Sequence, residues 1–109
     1  MAIHSPSLVR LFAALSDPTR LAVIERLGEG PASVSTLAEP FQMAGPSFLK
    51  HLAVLEDAGL VRSHKVGRIR TVTLNPARLI EAQDWLSAHR TRWEQRLDRL
   101  GQMLERTPE

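Results

Sequence analysis

The chain has 109 residues, with 14 Lys and Arg against 12 Asp and Glu, and no cysteine. That length supports one compact domain, and 43% hydrophobic with 24% charged residues is the balance of a globular chain, not a disordered one. The missing cysteine excludes a disulfide framework, a thiolate metal cage and a cysteine nucleophile, and no apolar run approaches the roughly 20 residues that cross a bilayer.

Met1 to Leu15 carries Arg10 inside its apolar stretch and lacks a signal-peptide layout, so the cytoplasm is the expected location. Leu8, Leu11, Phe12 and Leu15 recur at i, i+3, i+4 and i+7 and predict a first helix over 7–15. Ser16-Asp17-Pro18 restarts the chain with a capping residue and a proline at the first helical position. The second helix places Leu21, Ile24 and Leu27 on one face and stops at Gly28 to Pro31. A short third helix is expected from Ser33 or Val34 to about Phe41, burying Val34, Leu37, Ala38 and Phe41, with Pro40 spoiling its last turn.

Met43-Ala44-Gly45 forms a tight turn, and Pro46 opens a fourth helix with Phe48, Leu52 and Leu55 inward, closing at Ala58-Gly59. Leu60 to Val66 and Ile69 to Leu74, rich in β-branched residues and separated by Gly67-Arg68, predict a two-stranded hairpin. Asn75-Pro76 restarts helix, and nothing interrupts it before Thr107-Pro108. Ala77 to Arg106 would extend about 45 Å at 1.5 Å per residue, against a radius of gyration near 13 Å for a compact chain of this size. Leu79, Ala82, Leu86, His89, Trp93, Leu97, Leu100 and Leu104 nonetheless keep one side apolar in near-heptad steps, with Trp85 beside them. One protomer cannot cover so long a stripe. A homodimer is therefore expected, its interface formed by Leu8, Leu11, Phe12 and Leu15 of the first helix with Trp85, Leu86, His89, Trp93, Leu97, Leu100 and Leu104 of the last.

The element order describes a mainly α (α+β) winged helix-turn-helix in a single domain over 1–109. The helix-turn-helix occupies about 33–58, the wing about 60–74 and the long C-terminal dimerisation helix about 76–106. On a wheel of the fourth helix, Pro46, Ser47, Lys50 and Ala53 point away from the apolar stripe and Leu49 sits on its shoulder. Small residues allow close approach to base edges; Ser47 can donate or accept, Lys50 can reach a phosphate or guanine, and Leu49 can touch a thymine methyl. Val61 to Asn75 holds Arg62, Lys65, Arg68, Arg70 and His64 without one acid. That pattern fits a wing against DNA, with Arg68 at the tip entering a minor groove and the other bases on phosphates. The expected partners are thus double-stranded DNA and a second copy of the chain; a winged-helix module that binds protein and no DNA is the alternative.

Leu15-Ser16-Asp17-Pro18-Thr19-Arg20, Val34-Ser35-Thr36-Leu37-Ala38-Glu39-Pro40-Phe41, Lys50-His51-Leu52-Ala53-Val54-Leu55-Glu56-Asp57-Ala58-Gly59-Leu60-Val61 and Gly67-Arg68 resemble the ArsR family of bacterial winged-helix repressors. The motifs occur in the family's order and spacing across essentially the whole chain. The resemblance implies a homodimer built on the first and last helices, an inverted-repeat operator, transcriptional repression and, in many members, release by an effector. It also implies packing or a phosphate contact for His51. Three features depart from the family pattern. Ala44 stands where a capping Ser or Thr is common, Leu49 where Ser is frequent, and Thr71 and Thr73 where aromatic residues are usual.

Metal sensing, known in the family, is not expected. Thiolate sites need cysteine, and the last-helix pattern of Asp-x-His with a later His-x-x-His or His-x-x-Glu fails, because Trp85-Leu86 follow Asp84 and Trp93 follows His89. His4, His51, His64 and His89 are scattered over different elements. No cofactor is implied; a small hydrophobic effector between the first and last helices, lined by Trp85 and Trp93, stays open. No GxSxG, Walker, HExxH or Rossmann pattern is present, and adjacent Glu56 and Asp57 point apart, so an enzyme is not expected.

Overall fold

The computed structural model describes residues 6–106. Helix α1 (Pro6–Leu15) buries Leu11 and Ala14, and α2 (Pro18–Leu27) follows after a sharp corner. The Asp17 carboxylate accepts from the Arg20 backbone N–H at 3.0 Å, satisfying one of the donors that a helix start leaves free. Buried residues of α2 are Val23, Ile24 and Leu27. Leu21, expected on that face, is instead 45% exposed; the helix contacts the core through positions 23, 24 and 27, which turns residue 21 toward solvent.

A two-residue strand β1 (Ala32–Ser33) leads into α3 (Val34–Ala38). Ser33 caps α3, its hydroxyl accepting from Thr36 N–H at 3.1 Å. The helix ends at Ala38, short of the expected Phe41. Pro40 has no N–H to return to Thr36 and its ring crowds that carbonyl. Phe41 lies beyond the helix and stacks on Phe48 with ring centroids 5.7 Å apart.

Helix α4 (Gly45–Asp57) is packed by Phe48, Leu52 and Leu55. Its C-terminal turn reverses at Gly59, where φ is +76°. Leu60 N–H returns to Leu55 O at 3.0 Å, the pairing that a left-handed glycine permits. Strands β2 (Val61–Val66) and β3 (Ile69–Leu74) pair antiparallel around Gly67-Arg68, with Val66 opposite Ile69 and Gly67 at φ +62°. The far edge of β3 also pairs with β1, Ala32 opposite Val72 and Ser33 opposite Thr71. The sheet therefore has three strands in the order β1-β3-β2, one more than the hairpin expected from the sequence. Two residues are too few to leave a period in the sequence, and β1 is a strand only because β3 offers it an edge.

Helix α5 (Pro76–Arg106) begins against the end of α4. Asn75 donates from Nδ2 to Gly59 O at 2.9 Å. Arg78 donates from Nε to Ala58 O at 2.9 Å and from Nη2 to Ser7 O at 2.8 Å, and pairs with Glu81. One guanidinium thus joins the starts of α1 and α5 to the end of α4. The core is built on Leu11, Val23, Phe48, Leu55, Leu60 and Val72. Beyond Ala82, the last buried residue among those described, α5 runs away from it, giving a particle 72 × 30 × 22 Å. Among the described residues no helix is long and apolar enough to cross a membrane.

Candidate nucleic-acid interface

The stripe that holds α4 in the core also fixes what it presents outside. With Phe48, Leu52 and Leu55 buried, Pro46, Ser47, Lys50 and Ala53 all face solvent, and Leu49 is 46% exposed. Ala44, in extended backbone at the helix start, makes no side-chain cap. The hairpin projects beside this helix, and Arg62, Lys65, Arg68 and Arg70 are exposed along it. A recess of about 520 Å³ joins the two, lined by Leu49 of α4 and by His64, Lys65, Arg68 and Arg70 of the wing. Leu49 of α4 and the basic hairpin therefore share one recess beside the outward helix face, an arrangement suited to a helix in a major groove with a wing on the adjoining backbone.

The four bases of the hairpin are not equivalent. Ser63 donates to Glu56 Oε1 at 2.5 Å, and Arg70 donates to the same oxygen from Nη2 at 3.1 Å and to Ser63 Oγ from Nε at 3.0 Å. Glu56 comes from α4, so a hairpin without acids in its own sequence acquires one from the neighbouring helix. Arg70 therefore braces the wing against the helix, its half-exposed guanidinium paired with Glu56. Arg62, Lys65 and Arg68 make no side-chain hydrogen bond or ion pair among the described residues; only the Arg62 backbone carbonyl is used, by Thr73. His51 turns toward the α1–α2 corner, with Nδ1 3.2 Å from Arg20 Nη1 and 3.7 Å from Asp17 Oδ2. Asp17 is held below its ordinary pKa, chiefly by the Arg20 backbone N–H, with partial desolvation opposing it.

A family model described as a helix-turn-helix domain matches residues 15–64. A crystal structure of an ArsR family transcriptional regulator superposes with a TM-score of 0.77 at 49% identity, covering 81% of this chain and 97% of that one. The chain belongs to the ArsR family. An ArsR-like regulator from Rhodococcus sp. RHA1 gives a TM-score of 0.77 at 35% identity, covering 93% of this chain and 95% of that one. The transcriptional repressor SdpR of Bacillus subtilis is 32% identical over 76 residues, which are 70% of this chain and 84% of that protein. The protein is thus a DNA-binding transcriptional regulator of the ArsR family, and its relatives are regulators, not enzymes.

For this ArsR regulator the residues expected at a subunit interface divide into two sets. Leu11 is wholly buried in the protomer core and can present nothing to a partner, which corrects its assignment to the interface. Leu8, Phe12 and Leu15 are half-buried along α1. Trp85 packs on Phe12 (centroids 5.5 Å) and on His89 (4.1 Å). Leu86, Trp93, Leu97, Leu100 and Leu104 all lie in the open. An apolar groove of about 600 Å³ between α1 and α5 is walled by Phe12, Leu15, Leu79, Ala82 and Leu86, whereas Trp93 borders a separate recess with Arg92, Arg96 and Arg99. Among the described residues no three His, Asp or Glu side chains stand close enough together to hold a metal ion; His4 lies outside the described residues.

Arg20, Glu56, Ser63 and Arg78 carry much of this geometry and were not singled out by spacing. Each reaches a partner more than five residues away in the chain. A charged residue that reaches a distant carbonyl or carboxylate looks the same in sequence as a solvated one.

Proposed function

We propose that this ArsR regulator is a homodimeric repressor that binds an inverted-repeat operator in the cytoplasm and does not sense metals through cysteine. The observation that carries the reading is the recess that Leu49 of α4 shares with the basic wing, beside the exposed outward face of α4. Pro46, Ser47, Leu49 and Lys50 are assigned to the major groove, with His51 on its flank. Arg62, Lys65, Arg68 and Arg70 are assigned to phosphates and the minor groove beside it, with Arg70 also bracing the wing through Glu56. Repression follows from occupancy, and is supported by the likeness to a relative that is named a repressor. The dimer is supported by the exposed seam of α5: Trp93, Leu97, Leu100 and Leu104 are each more than half exposed on a helix that leaves its own core. Apolar surface of that extent marks an interaction site in a soluble chain. The whole chain reads as one winged helix-turn-helix domain, and an apolar effector, if one is used, has the α1–α5 groove available.

Binding-site selection from random duplexes tests the proposal. The expected product is a dyad with half-sites about one helical turn, ~34 Å, apart. A selected site without two-fold symmetry would overturn the dimeric reading. Lys50→Ala is expected to weaken binding of the selected duplex, and unchanged affinity would remove α4's outward face from the interface.

A further inference from the structure

His51 leaves α4 one turn after Ser47, on the flank of the face assigned to DNA, and its ring is fixed from behind. Arg20 Nη1 lies 3.2 Å from His51 Nδ1. A guanidinium can only donate, so Nδ1 must offer its lone pair and the ring proton sits on Nε2. Asp17 Oδ2, at 3.7 Å, is beyond hydrogen-bond reach and does not hold a proton on Nδ1. Arg20 is itself immobilised by the last turn of α1, donating from Nε to Ala14 O at 2.7 Å and from Nη2 to Ala13 O at 3.3 Å. The opposite edge of the ring is free. Every buried side-chain nitrogen and oxygen among the described residues has a partner, and no interaction engages His51 Nε2, so that N–H reaches solvent.

We propose that Arg20 is a positioning residue for DNA recognition. It holds His51 as the neutral imidazole with its proton on Nε2, and that proton is donated to a backbone phosphate beside the groove that α4 enters. The proposal rests on α4 being the DNA-reading helix. Because the donor is neutral, the contact adds affinity without releasing a counterion, unlike those of Lys50 or Arg68. It also ties the end of α1, whose Phe12 and Leu15 border the α5 seam, to the recognition helix through one guanidinium.

Nitrogen-15 NMR of the imidazoles in the intact free protein, near pH 8, reads the tautomer directly. The expected result is an unprotonated Nδ1 and a protonated Nε2 for His51; the reverse tautomer overturns the proposal. Anisotropy titrations with a duplex recovered by random-sequence selection test the consequence. Arg20→Met and His51→Phe are each expected to lower affinity about tenfold, the scale of a hydrogen bond to an anion. The slope against salt should stay unchanged, and the double variant should be no weaker than either single one. His51→Gln, whose amide reaches the place of Nε2, should retain most of the affinity, while His51→Asn, which reaches only the place of Nδ1, should not. Additive losses, or full affinity in His51→Phe, would sink the proposal even if Arg20→Met failed to fold. Wild-type protein that retains no duplex would instead overturn the assignment of α4 to DNA.

Discussion

Arg68 and Arg70 sit two positions apart in the chain, and what separates them is a carboxylate from another element. Arg68, at the turn of the hairpin, has no ion pair among the described residues, whereas Arg70 shares Glu56 with Ser63. Arg68→Ala is expected to weaken DNA binding and to flatten the plot of log affinity against log salt by about 0.9 for each phosphate it no longer neutralises. Arg70→Ala should flatten it less, because its guanidinium is shared with Glu56 within the protomer. Equal slopes in the two variants would refute the division. Asp17 gives a prediction in pH. Its carboxyl titrates below the ordinary value because the charged form accepts the Arg20 N–H. A depressed folded-state pKa stabilises the fold above the unfolded-state value, about 3.9, and that stability is lost as pH falls through the folded value. Asp17→Asn, which can still cap α2, should therefore show a smaller loss of stability between about pH 5 and pH 3 than the wild type in urea titrations. An equal loss in both would show that Asp17 does not contribute to the acid limb.

At the scale of elements, the two helices of the helix-turn-helix start differently. Ser33 caps α3 with its hydroxyl, while Ala44 precedes α4 in the same extended backbone without a side-chain acceptor. The backbone at residue 44 is thus ready for a cap that the side chain lacks. Ala44→Ser is expected to stabilise the protein by about 1 kcal/mol, read from the urea midpoint at unchanged slope. No gain would mean that the start of α4 is satisfied by another route. The wing shows how one element depends on another. β3 receives β1 on one edge and β2 on the other, and Arg70 and Ser63 fasten the hairpin to Glu56 of α4. The helix and the wing therefore hold a fixed relation.

The whole molecule is dominated by α5, which runs 31 residues in a particle whose longest dimension is 72 Å. Its first turns are stapled to the core by Asn75, Arg78 and buried Ala82; the remainder carries its apolar seam into solvent. Exposed on a lone protomer, that seam would cost solubility; covered by a second copy, it becomes an interface with half-buried Phe12 and Leu15 at its edge. Trp93→Glu combined with Leu97→Glu would place unpaired charges in the seam, and sedimentation should then give a monomer. A double variant that still sedimented as a dimer would locate the interface elsewhere.

Local patterning alone carried much of this. The stripe Phe48, Leu52 and Leu55, the Gly59 stop, the Gly67-Arg68 turn and the uninterrupted run of α5 are period and punctuation, which depend only on neighbours in the chain. Because a helix that buries one face must expose the other, the outward set Pro46, Ser47 and Lys50 was legible too. What spacing could not register was decided by tertiary contact: the third strand at Ala32–Ser33, the turning of Leu21 to solvent, and the burial of Leu11 in its own protomer. The charge of the hairpin behaves likewise. Four bases without an acid became, among the described residues, three without a side-chain partner and one paired with Glu56 of α4, and His51 lies against Arg20. Electrostatics and hydrogen bonds act through space over a few ångströms, and chain order places residues 31 positions apart at that distance only after the fold has formed.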